Sequence, residues 1–160
     1  LISASKAFNV PGLSCAFAII PNPKLWKQFS DLAQGMSFEV STLGLTAAQV
    51  AFSGRADSWL KDLRRYLTGN RDFLVEYVTE YMPQVRITIP DATYLAWLDF
   101  TQTGMDGSPF EFFMKKGKVA LSDGKLFGKG GKGHVRLNFG TSRNILKQGL
   151  DRMRKALKSI

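Results

Sequence analysis

The sequence predicts an α/β protein whose second half forms a small antiparallel sheet with helices packed on it. Three observations carry that reading. Residues 15–20, Cys-Ala-Phe-Ala-Ile-Ile, are apolar without alternation, the pattern of a strand buried on both faces. Val85, Ile87 and Ile89 alternate with Arg86 and Thr88, and residues 134–139, His-Val-Arg-Leu-Asn-Phe, alternate strictly, the pattern of strands with one polar face. Stretches with helical periodicity separate these segments and end the chain.

In chain order, Pro21-Asn22-Pro23 stops the first apolar run. Lys24 to Gln34 reads as a helix with Leu25, Phe29 and Leu32 on one face, ended by Gly35. Residues 36–45 have no clear period and read as a loop. Thr46 to Phe52 reads as a short Ala-rich helix closed by Gly54. Asp57 or Ser58 can cap the next helix. Its stripe, Leu60, Leu63, Leu67, Leu74, Val78 and Tyr81, stays in phase across Gly69-Asn70 and stops before Pro83. A helix of about 25 residues is long for a globular protein. A domain boundary is placed within it, giving residues 1–68 and 69–160.

Beyond Pro83 the expected order is strand at 85–89, strand at Tyr94–Phe100, turn at Asp106-Gly107, and short helix at Pro109–Lys116. A brief strand at Val119–Leu121, a glycine loop from Phe127 to Gly133 and the strand at 134–139 follow. Thr141 or Ser142 caps a last helix with its stripe at Leu146, Gly149, Leu150, Met153 and Leu157.

With 44% hydrophobic residues and 19 aromatic ones among 160, the chain can build a core and is not a disordered segment. The net charge is +9, and from Lys115 onward there are thirteen Lys/Arg against two acids, Asp123 and Asp151. That excess suits nucleic acid, a membrane surface or a small anion. The basic residues are interleaved with glycine and apolar residues and match no nucleic-acid-binding motif, so neither nucleic acid nor membrane is an expected partner. One cysteine, Cys15, excludes an internal disulfide framework and fits a reducing, cytoplasmic setting. One Cys and one His give no metal-ligand spacing, so no metal is expected. There is no 18-residue apolar span and no signal-peptide pattern. The chain begins with Leu rather than Met, and residue 1 is not expected to be a natural N-terminus.

Two residues stand out chemically. Lys6 sits among small hydroxyl residues beside an apolar run, and a lysine held near apolar sequence is the kind used in Schiff-base chemistry. Its competing reading is a surface lysine in a polar loop. Arg136 lies on the face of its strand opposite Val135, Leu137 and Phe139. It reads either as solvent-facing or as a fork for a carboxylate. Gly128-Lys129-Gly130-Gly131-Lys132-Gly133 formally matches G-x-G-x-x-G, but a strand follows it where a dinucleotide fold needs a helix, so no dinucleotide is expected there.

Residues 3–13, Ser-Ala-Ser-Lys-Ala-Phe-Asn-Val-Pro-Gly-Leu, resemble the cofactor-lysine segment of fold-type-I pyridoxal-phosphate enzymes. These are the class I/II aminotransferase family, here nearest its cystathionine β-lyase branch. Residues 91–99, residues 119–122 through 127–128, and residues 133–143 (Gly-His-Val-Arg-Leu-Asn-Phe-Gly-Thr-Ser-Arg) resemble further segments of that branch in order and spacing. The resemblance covers nearly all of this chain but only the C-terminal two-fifths or so of such an enzyme. It implies the end of a large cofactor-binding domain followed by a small α+β domain. It also implies pyridoxal 5'-phosphate joined to Lys6 as a Schiff base, with Lys6 moving the substrate's Cα proton. Ser3 and Ser5 are implied contacts of the cofactor phosphate, and Arg136 the clamp on the amino acid's α-carboxylate. The implied activity is carbon–sulfur cleavage releasing thiol, ammonia and pyruvate. An aminotransferase is the alternative, and an inactive fragment or basic binding module the second. A homodimer is implied, with Met36–Leu45 as an interface loop. Ser14 stands where related enzymes often carry a basic phosphate ligand. The family's phosphate loop, ring-stacking aromatic and pyridine-pairing Asp precede the lysine and are not in this sequence. The 160 residues alone are therefore expected to be inactive.

Overall fold

A computed structural model describes residues 1–36 and 39–160. Ser37 and Phe38, within the loop and interface segment expected at 36–45, lie outside the described residues. The chain divides into two compact units, Leu1–Leu63 and Arg64–Ile160.

The first unit is built on small residues. Its helices are α1 (Pro23–Gly35) and α2 (Thr42–Phe52), followed by the start of α3 (Asp57–Tyr81). Asn22 Oδ1 caps α1 by accepting from the backbone N–H groups of Lys24 and Leu25 at 2.9 and 3.2 Å, and Pro23 occupies the first turn, where no donor is needed. Ser41 Oγ accepts from Gly44 N at 3.0 Å, so α2 starts four residues before the expected Thr46. The hydroxyl cap, hidden in what reads as a loop, sets that start. Gly44 presses on the preceding segment: a Cβ there would stand 2.5 Å from Leu13 O and 3.3 Å from Cys15 Cβ. Ala4, Cys15, Ala48 and Ala51 are the buried apolar residues of this unit.

Residues 15–20 do not form the strand buried on both faces that their composition predicts. Only Cys15 is buried, Ile19 is 71% exposed, and pairing is limited to one bridge between Ile2 and Phe17. The run has the composition for a sheet interior but no neighbouring strand among the described residues. The α1 stripe behaves likewise: the helix forms as expected, yet Leu25, Phe29 and Leu32 are all exposed. In both cases the pattern marks an apolar face that the described residues leave exposed.

The second unit closes its own core. Helix α3 runs unbroken for 25 residues through Gly69-Asn70. The sheet has strand order β1 (Arg86–Ile87), β2 (Leu95–Asp99), β4 (His134–Asn138), β3 (Ser122–Asp123), with every pair antiparallel. Strand β1 is shorter than its alternation predicts: Val85 turns into the core and Ile89 is exposed. The third expected strand forms three residues late, at Ser122–Asp123. The expected helix from Pro109 is α4 (Pro109–Phe112), which widens into a π turn at Phe113–Gly117 and leaves through Lys118 at φ +52°. That left-handed exit delays the strand. Ser142 caps α5 (Arg143–Leu157) through Ile145 N at 3.3 Å.

The two faces of the sheet divide the unit. Leu98, Val135, Leu137 and Phe139 point into a core completed by Leu74, Val78 and Met82 near the end of α3, Leu146, Leu150 and Met153 on α5, and Phe113. Tyr77 on α3 ties to α5 by donating its hydroxyl to Asp151 Oδ1 at 2.6 Å. Burial, aided by that carboxylate, pushes the Tyr77 phenol up to about 12. Asp151 also accepts from Lys147 at 2.8 Å, which holds its carboxyl below the usual range.

The glycine segment is a pinched loop made of two single turns, Gly124–Phe127 and Lys129–Gly131. Gly124 and Gly131 cross backbone to backbone at its base. A Cβ on either would fall inside the carbonyl oxygen of the other. Gly131→Ala is expected to destabilise the unit by about 1–3 kcal/mol, because backbone must move where no side chain can yield. Thermal unfolding checks this: a drop of several degrees in Tm is expected, and an unchanged Tm would refute the crossing.

Candidate functional site

One candidate site, in the first unit, is the turn around Lys6. Phe8 N donates to Ala4 O at 2.9 Å and Val10 N to Ser5 O at 3.1 Å, and Asn9 takes φ +54° to close the turn. Ala4 is buried beneath it, so the turn is anchored and Lys6 is displayed at its exposed surface. Ser3 Oγ donates to Cys15 O at 2.9 Å, accepts from Ser5 N at 3.1 Å, and lies 2.7 Å from Ser5 Oγ. With the Ser3 proton committed to Cys15, the proton between the two hydroxyls comes from Ser5. The structure thus brings Ser3 and Ser5 together one turn from the Lys6 backbone. Ser14 ends the short turn at Pro11–Leu13, at φ +46°, and is exposed.

A separate candidate site, in the second unit, is the sheet face opposite that unit's core. Register places Arg136 across from Trp97 on β2 and Ser122 on β3. The Phe127 ring lies over the guanidinium, with Cζ 4.4 Å from its centroid, and stands edge-on to Trp97 at 5.5 Å. Arg136 Nη2 donates weakly to Ser122 Oγ at 3.4 Å, while Nε is buried without a partner among the described residues. No carboxylate among the described residues pairs with this cation. A buried N–H on a charged fork, left unsatisfied, costs stability unless an acceptor completes it. The geometry suits a planar oxyanion, which takes two parallel donors from one guanidinium.

His134, which pattern alone reads as a surface residue, is half-buried on the same face. It stacks on Trp97 at 5.5 Å, its Nδ1 lies 2.9 Å from Lys132 O, and its Nε2 is 3.7 Å from Asp99 Oδ1. Burial raises the Asp99 carboxyl, but hydrogen bonds from Thr101 outweigh it, and the net position is below the usual range. Trp97, Phe127 and Ser122 went unnoticed in the sequence as companions of Arg136. The signal for Trp97 was present, since it alternates with Ala96, Leu98 and Phe100, which face the core. Phe127 ends the single turn that starts at Gly124, where the two glycine backbones cross.

The profile of the aminotransferase class I and II family matches residues 1–153. The chain belongs to that family. A cystathionine beta-lyase of Corynebacterium glutamicum is 37% identical over 98% of this chain, which spans 42% of that protein's length. The PLP-bound C-S lyase of Staphylococcus hominis superposes with a TM-score of 0.84 at 32% identity, over 97% of this chain and 40% of that one. An aspartate aminotransferase of Pyrococcus horikoshii is 24% identical over 97% of this chain and 40% of its own length. Against these relatives the fold is that of the corresponding two-fifths of a fold-type-I enzyme: mixed helix with a small antiparallel sheet. The carbon–sulfur lyases resemble this family member more closely than the aminotransferase does.

Proposed function

We propose that the protein containing this chain is a pyridoxal-phosphate-dependent carbon–sulfur lyase acting on cystathionine or related cysteine conjugates. Residues 1–68 would end its large domain and residues 69–160 form its small one. The observation that carries the reading is the Arg136 guanidinium, whose buried Nε has no partner and which meets no carboxylate among the described residues. The greater similarity to lyases than to an aminotransferase favours cleavage over amino transfer.

The residues present fit the cofactor. Lys6 offers an exposed primary amine for its aldehyde carbon, and Ser5 would offer its hydroxyl proton to a phosphate oxygen by turning it away from Ser3 Oγ. When bound, pyridoxal phosphate supplies a conjugated ring that accepts the electron pair released at the substrate's Cα. Arg136 binds the α-carboxylate through two donors and fixes which Cα bond is presented for reaction. Phe127 and Trp97 shield that ion pair from water, which strengthens it. Once the substrate's amine takes its place, the freed Lys6 amine would take the Cα proton; the Cβ–S bond then breaks to release the thiol, and one water hydrolyses the remaining three-carbon enamine to ammonia and pyruvate. A homodimer in the cytoplasm completes the proposal. The exposed apolar residues of the first unit and the single reduced Cys15 support it.

The test is product analysis on the whole protein supplied with pyridoxal phosphate and cystathionine. Stoichiometric pyruvate and thiol are expected. A keto acid formed only when an amino-group acceptor is added would replace the lyase with an aminotransferase. Arg136→Lys keeps the charge but loses the fork, and its KM is expected to rise about ten- to a hundredfold, the value of one charge-assisted hydrogen bond. An unchanged KM would remove Arg136 from the substrate.

A further inference from the structure

On the far side of the sheet from Arg136, the π turn at Phe113–Gly117 and the last turns of α5 border a shallow, solvent-open recess of about 520 Å³. Lys116 and Lys118 line it from one side, Arg152 and Lys155 from the other, with Ser159 at its edge. No acidic residue lines it. We propose that this recess is a binding site for a small soluble polyanion carrying two or more phosphate groups.

Three observations separate it from an ordinary solvated basic face. First, the walls are held together by packing. Gly117 is buried, and a Cβ there would stand 3.4 Å from Phe113 Cδ1, 3.7 Å from Arg152 O and 3.8 Å from Ala156 Cβ. The turn therefore sits directly on α5 and carries Lys116 and Lys118 to the helix. Second, Lys118 stands at φ +52°, where glycine would be unstrained and a lysine is not. Third, the neighbouring cations on the same helices are each engaged. Lys115 pairs with Glu111, Lys147 with Asp151, and Arg154 lies over the Tyr81 ring. The four in the recess have no acidic partner among the described residues.

The α5 C-terminus accounts for Lys155, a last-turn cation that complements the helix dipole. It does not account for Lys116 and Lys118, which come from another segment and add like-charge repulsion. An anion among the four turns that repulsion into attraction. Lysines supply point charges for phosphate and Arg152 a fork. The four cations cluster at one recess, which suits a small anion, whereas duplex nucleic acid is bound along a basic stripe.

The experiment is calorimetric titration of the whole protein with pyrophosphate, with pyridoxal phosphate in excess so that the cofactor's phosphate site is filled. One saturable event is expected, weakened tenfold or more by Lys116→Gln with Arg152→Gln and kept by Lys116→Arg. If the glutamine pair lowers Tm, Lys118→Gln with Lys155→Gln repeats the measurement from two other exposed side chains. Absence of saturable binding, or equal affinity in the glutamine variants, would overturn the site. So would displacement of pyrophosphate by a short DNA duplex that binds more tightly. Lyase activity enters none of these readouts, so the result stands apart from the proposed reaction.

Discussion

Lys6→Ala in the whole protein is expected to lower turnover on cystathionine by about 10²- to 10⁴-fold, the usual worth of a positioned proton-transfer group. The expectation rests on where the lysine stands. Its turn is closed by two backbone hydrogen bonds and anchored by buried Ala4, so its amine is presented by a fixed backbone. Because the side chain is exposed, its removal leaves no cavity, and Tm is expected to stay within a degree or two. Lys6→Arg separates chemistry from charge. A guanidinium keeps the cation but remains protonated, so it neither joins a carbonyl carbon nor accepts a proton. If Lys6 were only a counter-charge for phosphate, arginine would restore turnover. In the proposed role it restores none. Turnover within fivefold of the parent in either variant would end the assignment.

What the sequence allowed, and what it withheld, follows from where each signal is stored. In the second unit the alternation of His134–Phe139 and the phase of Leu74, Val78, Leu146 and Leu150 describe contacts made inside the unit, and they form there. In the first unit the same kind of pattern misled. Residues 15–20 and the Leu25–Phe29–Leu32 stripe encode burial, but the surfaces that would bury them are not among the described residues, and Ile19 and Leu32 stand 71% and 69% exposed. Periodicity reports that a face is apolar and says nothing about what covers it. The candidate site divides likewise. Lys6 and Arg136 were legible as residue types in suggestive settings. The closeness of Phe127 to Arg136 was not, because it depends on two glycines whose backbones cross where a side chain would collide. The exit of the π turn through Lys118 was equally silent, since nothing about lysine announces a left-handed conformation.

Asn70→Ala is expected to destabilise the second unit by about 3–5 kcal/mol. Asn70 is fully buried in α3. Its Nδ2 donates to Phe139 O at 3.0 Å and Thr141 O at 2.8 Å, and its Oδ1 accepts from Arg143 Nε at 2.8 Å. Arg143 N in turn donates to Tyr66 Oη at 2.9 Å, and its guanidinium lies over Phe73. One amide thus satisfies two carbonyls and one cation around the turn that links β4 to α5. No backbone ladder serves them there, since β4 ends at Asn138. Alanine would leave both carbonyls and the Arg143 Nε without that partner and open a void against Phe139. A double-variant cycle with Arg143→Ala is expected to show a coupling of at least about 1 kcal/mol, because the two side chains share one hydrogen bond in one network. The same bonds fix the end of the strand that carries Arg136 three residues upstream of Phe139. The loss should therefore appear in catalysis too, as a raised KM with kcat nearly kept under conditions where the variant is folded. A shift in Tm without a shift in KM would restrict Asn70 to holding the fold, and the absence of coupling with Arg143 would refute the network itself.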